Sequence, residues 1–175
     1  MNLLIVDDEI LTIQGIQKGV DWDSLNYENI YTAQSAEEAM ELFEARPIDV
    51  MLCDIEMEEM NGLQFLKWIR SQGYETECVF LTCHDEFTFA QEAIQYGAAD
   101  YLLKPVLYPD LPNLLRKMAE RVEKRIASEI YEKYGILTTI GIYAANDKGE
   151  YGEIKKALAK IINEYPNILQ LHGFY

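Results

Sequence analysis

Residues 49–62 read DVMLCDIEMEEMNG, a short run dominated by apolar side chains that stops abruptly at Asp54 and gives way to a polar loop. A nearly continuous apolar run of this length marks a strand buried on both faces, as in a parallel sheet whose crossovers are helices. Outward from it the pattern repeats. Asn2 to Val6, Glu28 to Thr32, Asp49 to Cys53, Cys78 to Leu81 and Ala99 to Leu103 are predicted as five strands, and a helical pattern follows each.

Between the first two strands, Ile10, Ile13, Ile16, Gln17 and Val20 recur at three- and four-residue steps and predict a covering helix. Ser35 is placed to cap the next helix, with Glu38 reaching back in a capping box; Ala39, Leu42 and Phe43 face inward and Pro47 stops it. Asn61 and Gly62 open a third helix that turns Leu63, Leu66 and Ile69 inward, and Asp85 to Gln95 form a fourth ending near Gly97. Right-handed crossovers then give an α/β fold, a doubly wound five-stranded parallel sheet in the flavodoxin-like order 2-1-3-4-5.

After Pro112, residues Leu115, Met118, Val122, Ile126, Ile130 and Tyr134 predict one long C-terminal helix from Asn113 to Tyr134. At 1.5 Å per residue it runs about 33 Å, more than a five-stranded sheet needs, so its second half is expected to leave as a linker or dimer seam. Beyond it lies a small βαβ extension: strand Leu137 to Tyr143, turn Asn146 to Gly149, a helix with Ile154, Leu158, Ile161 and Ile162, then strand Ile168 to Leu171. The expected division is a first domain over 1–125, a linker helix over 126–135 and a partial βαβ unit over 136–175. That last unit is too small to bury a core alone, so it is read as a truncated second domain, a swapped element or a piece that packs on another chain.

The chain has 175 residues, 49% of them hydrophobic, which suits one full domain and part of another. No apolar run approaches a membrane span and MNLLIVDDE lacks the parts of a signal peptide, so a cytoplasmic protein without membrane contact is expected. Residues 1–125 hold 24 Asp and Glu against 10 Lys and Arg, nearly all of the net charge of −15. Such a surface repels phosphate backbones, so no direct nucleic-acid binding by this chain is expected. Cys53, Cys78 and Cys83 are read as buried, reduced core residues, and His84 and His172 as surface or loop residues without a role.

In an open parallel sheet ligands bind beyond the carboxyl ends of the strands. Those ends are Asp7 and Asp8 on the first strand, Asp54 on the third, Thr82 on the fourth and Lys104 with Pro105 on the fifth. Clustered carboxylates raise one another's pKa unless a cation sits among them. Mg²⁺ suits an all-oxygen site without His or Cys and takes remaining ligands from a phosphoryl donor. Asp54 is then the carboxylate nucleophile. The phosphoryl group adds negative charge that Lys104 partly neutralises and that the Thr82 hydroxyl can hydrogen-bond.

LLIVDDE, VMLCDIEMEEMNG, VFLTCHDE and DYLLKP, in this order and spacing, resemble the strand-end motifs of response-regulator receiver domains over nearly all of residues 1–125. The resemblance implies a two-component signalling module rather than an enzyme, phosphorylated on Asp54 by a sensor histidine kinase. It implies Asp7, Asp8 and Asp54 as Mg²⁺ ligands with the backbone carbonyl of Glu56, and a cis bond between Lys104 and Pro105. Thr82 and Tyr101 are implied as the switch pair. Gly19-Val20-Asp21-Trp22, His84-Asp85-Glu86-Phe87 and Tyr101-Leu102-Leu103-Lys104-Pro105 further resemble receivers joined to AraC-type helix-turn-helix output domains. That implies a homodimer and a DNA-binding output domain in a longer transcription regulator.

One departure is visible: the usual Met-Pro-x-Met after the acceptor is Met57-Glu58-Glu59-Met60 here. Added acid either strengthens cation binding or disfavours phosphorylation, and the second outcome gives an alternative reading, a receiver-like interaction module that takes no phosphoryl group. A Mg²⁺-dependent phosphohydrolase of the haloacid-dehalogenase type also uses a strand-end aspartate. Its Asp-x-Asp pattern follows the first strand, where this chain has Asp7-Asp8. Asp8 is also a candidate N-cap of the first helix, a role compatible with metal binding.

Overall fold

The computed structural model describes residues 1–83, 87–106 and 109–130. In chain order these form β1 (Asn2–Val6), α1 (Ile10–Gly19), β2 (Asn29–Ala33), α2 (Ala36–Ala45), β3 (Val50–Asp54), α3 (Gly62–Ser71), β4 (Glu77–Thr82), α4 (Phe87–Gln95), β5 (Asp100–Leu103) and α5 (Leu111–Ile130), with a short 3-10 turn at Trp22–Ser24. The sheet is parallel throughout, in the order β2-β1-β3-β4-β5. That is the predicted doubly wound α/β topology. Compact packing divides the chain into Met1–Val122 and Glu123–Tyr175. Of the second unit the described residues are the last turns of α5, where Arg125 Nε lies 3.6 Å from Glu129 Oε1. The predicted βαβ extension, His84 and His172 lie outside the described residues. Among the described residues no helix is long and apolar enough to cross a membrane.

Strand alternation builds the core. Leu4, Val6, Met51, Cys53, Cys78 and Phe80 join Phe43 of α2 with Phe65, Leu66 and Ile69 of α3 in one cluster. Their neighbours Leu3, Ile5, Leu52, Val79 and Leu81 are as deeply buried and point to the other face. Ile13 and Ile16 of α1 and Leu111, Leu115, Met118, Ala119 and Val122 of α5 are buried helical residues that remain to cover it. The tyrosine hydroxyl of Tyr27 donates to the Leu115 carbonyl at 2.9 Å, and Arg121 Nε pairs with Glu77 Oε2 at 2.9 Å, fixing α5 against the sheet.

Local chemistry accounts for the helix ends, with some corrections. Asn61 and Gln64 form a complete capping box at α3. Ser35 accepts from the Glu38 amide at 3.2 Å, but the Glu38 carboxylate reaches one residue further than expected, to the Gln34 amide at 2.8 Å. The N-cap of α1 is Glu9, without a side-chain cap bond, so Asp8 is not the cap. The stripe on α1 is narrower than predicted: Gln17 is exposed, and Ile10, at the helix start beyond the carboxyl edge of the sheet, is 44% exposed. Helix α5 starts at Leu111, two residues before the predicted Asn113, because Pro112 falls in the first turn, where its missing N–H is no loss. Cys53 and Cys78 are buried, but Cys83 is exposed: β4 stops at Thr82 and the apolar run outlasts the strand.

Candidate functional site

Strand register assembles the site. Val6 lies beside Cys53, Asp54 beside Leu81, and Thr82 beside Leu103. One residue further along, Asp7 therefore neighbours Asp54, and Lys104 leaves β5 level with the end of β4, its amide donating to the Thr82 carbonyl at 2.7 Å. The order reverses between β1 and β3, the switch point where open α/β sheets form their crevice. An acidic cleft of about 460 Å³ opens there, its walls including Asp8, Asp54, Glu56, Glu58, Cys83 and Lys104.

The Lys104 ammonium is shared. Nζ lies 2.7 Å from Asp7 Oδ2 and 2.8 Å from Asp54 Oδ2. Among the described residues only the Asp54 contact has hydrogen-bond geometry, and Asp7 Oδ2 is buried with Lys104 as its ionic partner and no hydrogen bond. The other oxygens are held from the backbone: the Glu9 amide donates to Asp7 Oδ1 at 3.0 Å and the Glu56 amide to Asp54 Oδ1 at 3.3 Å. Carboxylate oxygens of Asp7, Asp8 and Asp54 all lie within 4.8 Å of one another. Two of the three residues are buried and Asp8 is exposed.

Three carboxylates against one ammonium leave the cluster negative. Burial raises the Asp7 carboxyl above the ordinary 3.8, Lys104 opposes it, and the Asp54 charge adds to it. Asp54 is raised for the same first reason, again opposed by Lys104, with Asp8 adding to the rise. Burial works to lower Lys104, and its two carboxylate partners outweigh that and raise it. The buried thiols are inert: burial pushes Cys53 well above 9.0 and Cys78 up to about 12. Mg²⁺ fits this donor set, because every side-chain donor is a hard carboxylate oxygen, one buried oxygen lacks a hydrogen bond, and the excess is negative.

Thr82 is buried at the end of β4 and the Lys104–Pro105 peptide is cis. Tyr101 stands apart from the cluster on the edge strand β5 and is 40% exposed. Two features of the site had no clear signal in the sequence. The amide of Glu58 donates to Asp8 Oδ2 at 3.4 Å. A Cβ on Gly62 would overlap the Asp54 carbonyl oxygen and come within 2.9 Å of the Phe80 ring. The lack of a side chain there lets α3 begin directly against the end of β3, with the Gly62 amide donating to the Ile55 carbonyl at 2.9 Å. Gly62→Ala is expected to lower stability by about 1–3 kcal/mol, as overpacking does. Urea denaturation checks it, and an unchanged midpoint would show that the loop yields freely.

Comparison with known proteins agrees with this geometry. The profile of the response regulator receiver domain matches residues 3–116. An uncharacterized response regulatory protein of Staphylococcus epidermidis is 29% identical over 124 residues, covering 71% of this chain and 49% of that protein. The chain thus spans about half the length of that curated relative. The REC domain of AraT, a response regulator from Geobacillus stearothermophilus, is 36% identical with a TM-score of 0.65, covering 71% of this chain and 96% of that one. A two component transcriptional regulator AraC from Clostridium phytofermentans is 25% identical with a TM-score of 0.68, covering 73% and 98%. With the fold, the strand-end acids and the family match in agreement, the chain belongs to the response regulator receiver domain family.

Proposed function

We propose that this chain is the phosphoacceptor module of a two-component regulator, with Asp54 the acceptor, a sensor histidine kinase the physiological donor and Mg²⁺ the cofactor. The observation that carries it is the Lys104 ammonium held 2.8 Å from Asp54 Oδ2 among three convergent carboxylates. Asp7, Asp8, Asp54 and the Glu56 carbonyl would hold the ion. When bound, Mg²⁺ neutralises charge on the phosphoryl oxygens and aligns the donor. An Asp54 carboxylate oxygen forms the new bond to phosphorus, while the bond from phosphorus to the donor's leaving group breaks and that group departs with the electron pair. Lys104 exchanges its carboxylate contacts for the phosphoryl oxygens, and Thr82 donates its hydroxyl to them.

The reading extends to output. Thr82 and Tyr101 are proposed as the relay to the face of α4, β5 and α5, where Ile94 is 71%, Tyr101 40% and Leu103 46% exposed, an apolar patch suited to a homodimer or an output domain. A DNA-binding domain of AraC type in a longer cytoplasmic chain is supported by the resemblance to the Clostridium phytofermentans regulator and by the half-length match to the curated relative. Residues 1–125 are proposed as the receiver, 126–135 as a linker helix and 136–175 as a partial second unit. Members of the family are signalling modules rather than enzymes with turnover, which speaks against the phosphohydrolase reading.

A second reading has one observation in its favour: Glu56 and Glu58 add charge to the cleft wall, which opposes an incoming phosphoryl group. Incubation with acetyl phosphate and Mg²⁺, read by intact mass, decides between them. The wild type is expected to gain one phosphoryl group only with Mg²⁺, and Asp54→Ala to gain none. No gain by a folded wild type would leave the chain as an interaction module.

A further inference from the structure

The loop after β3 carries glutamate at position 58, where the pattern it resembles has proline. The change alters the site through the backbone. The Glu58 N–H donates to Asp8 Oδ2 at 3.4 Å, and proline has no N–H to give. A tight turn follows directly: Met60 N–H donates to the Glu58 carbonyl at 2.7 Å across Glu59, whose φ is 59°. That left-handed conformation is uncommon for a residue with a Cβ, so the loop keeps a strained turn beside the cleft.

Asp8 needs such a tether more than its neighbours do. Asp7 and Asp54 are buried and held by Lys104, whereas Asp8 is exposed. We propose that the main-chain N–H of Glu58 is a positioning group for Asp8: it engages one carboxylate oxygen, narrows the rotamers of the side chain, and leaves the other oxygen for a cation in the cleft. The role rests on the Mg²⁺ reading of the site and belongs to the amide, not to the glutamate charge. Groups that orient a metal ligand contribute to affinity without touching the ion.

Calorimetric titration of MgCl₂ into the full chain tests this with wild type, Glu58→Pro, Glu58→Gln and Asp8→Asn. Glu58→Pro is expected to weaken binding about tenfold, the low end for loss of a ligand-orienting group. Glu58→Gln keeps the N–H and is expected to stay within about twofold of wild type, as removal of one exposed charge allows. In the Asp8→Asn background the proline is expected to add no further loss. Wild-type affinity in Glu58→Pro, or equal weakening by Gln and Pro, overturns the proposal while leaving the Mg²⁺ site intact. A wild type that binds no Mg²⁺ overturns both. Should Glu58→Pro fail to fold, the residue-58 amide proton resonance is expected to move in Asp8→Ala, and a resonance that stays put overturns the proposal.

Discussion

Lys104→Met is expected to lower folding stability by about 2–4 kcal/mol at pH 7 and to abolish phosphoryl uptake. Breaking a buried ion pair by removing one partner usually costs about 3–5 kcal/mol, because the other charge stays buried alone. Here one ammonium serves two such partners, at 2.7 and 2.8 Å. The cleft is open on the side of Asp8, so water reaches part of the cluster, and the lower figure reflects that. Methionine keeps much of the length of the lysine stem and removes only the charge and its donors.

The same variant has a distinctive pH dependence. Without Lys104 the carboxyls of Asp7 and Asp54 lose the group that opposes their rise, so they take up protons at a higher pH and shed the unpaired charge. The deficit against wild type is therefore expected to shrink as pH falls toward the carboxyl range, and to shrink at pH 7 when Mg²⁺ is added. Urea midpoints at two pH values, with and without Mg²⁺, read both effects. Equal midpoints at pH 7 would mean that the pairing contributes nothing net.

These expectations depend on residues that were legible in the sequence for a simple reason. A parallel strand buried on both faces leaves an almost unbroken apolar run, and the first charged residue after it marks the carboxyl end of the sheet; Asp7 and Asp54 stand out this way, and Lys104 follows the shorter apolar run of the half-exposed edge strand β5. Their convergence follows from strand order alone. What was not legible depends on contacts between distant segments. The exposure of Cys83 turns on where β4 stops pairing with β5, which an apolar run does not disclose. The crowding at Gly62 arises from the end of β3 and Phe80 of β4, and the bond from the Glu58 amide to Asp8 spans fifty residues of chain. Glu59 shows no turn signal of the Gly or Asn kind, yet it takes the positive φ.

Asp54→Asn is expected to raise the stability, and so the Tm, of the metal-free chain at pH 7. The reason is electrostatic. Burial holds the Asp54 carboxyl above 3.8, so the folded state carries an ionised group that the unfolded chain would ionise more easily. For a folded pKa that is raised, the group's favourable contribution is complete below the unfolded value and is lost as pH rises through the folded one. At pH 7 wild type has lost it, whereas asparagine never ionises. Lys104 keeps Asp7 as a full-charge partner in the variant, so no cation is stranded. The gain is expected to vanish as pH falls below about 3.8, where aspartate is protonated in both states. Mg²⁺ should raise the Tm of wild type more than that of Asp54→Asn, which lacks one carboxylate ligand, and so narrow the difference. Thermal scans across pH decide the matter: a lower Tm at pH 7, or a gain that persists unchanged into acid, would place the effect in packing rather than charge. A positive result would mean that Asp54 is kept at the expense of fold stability, because the negative excess that strains the resting domain is what favours a cation in the cleft.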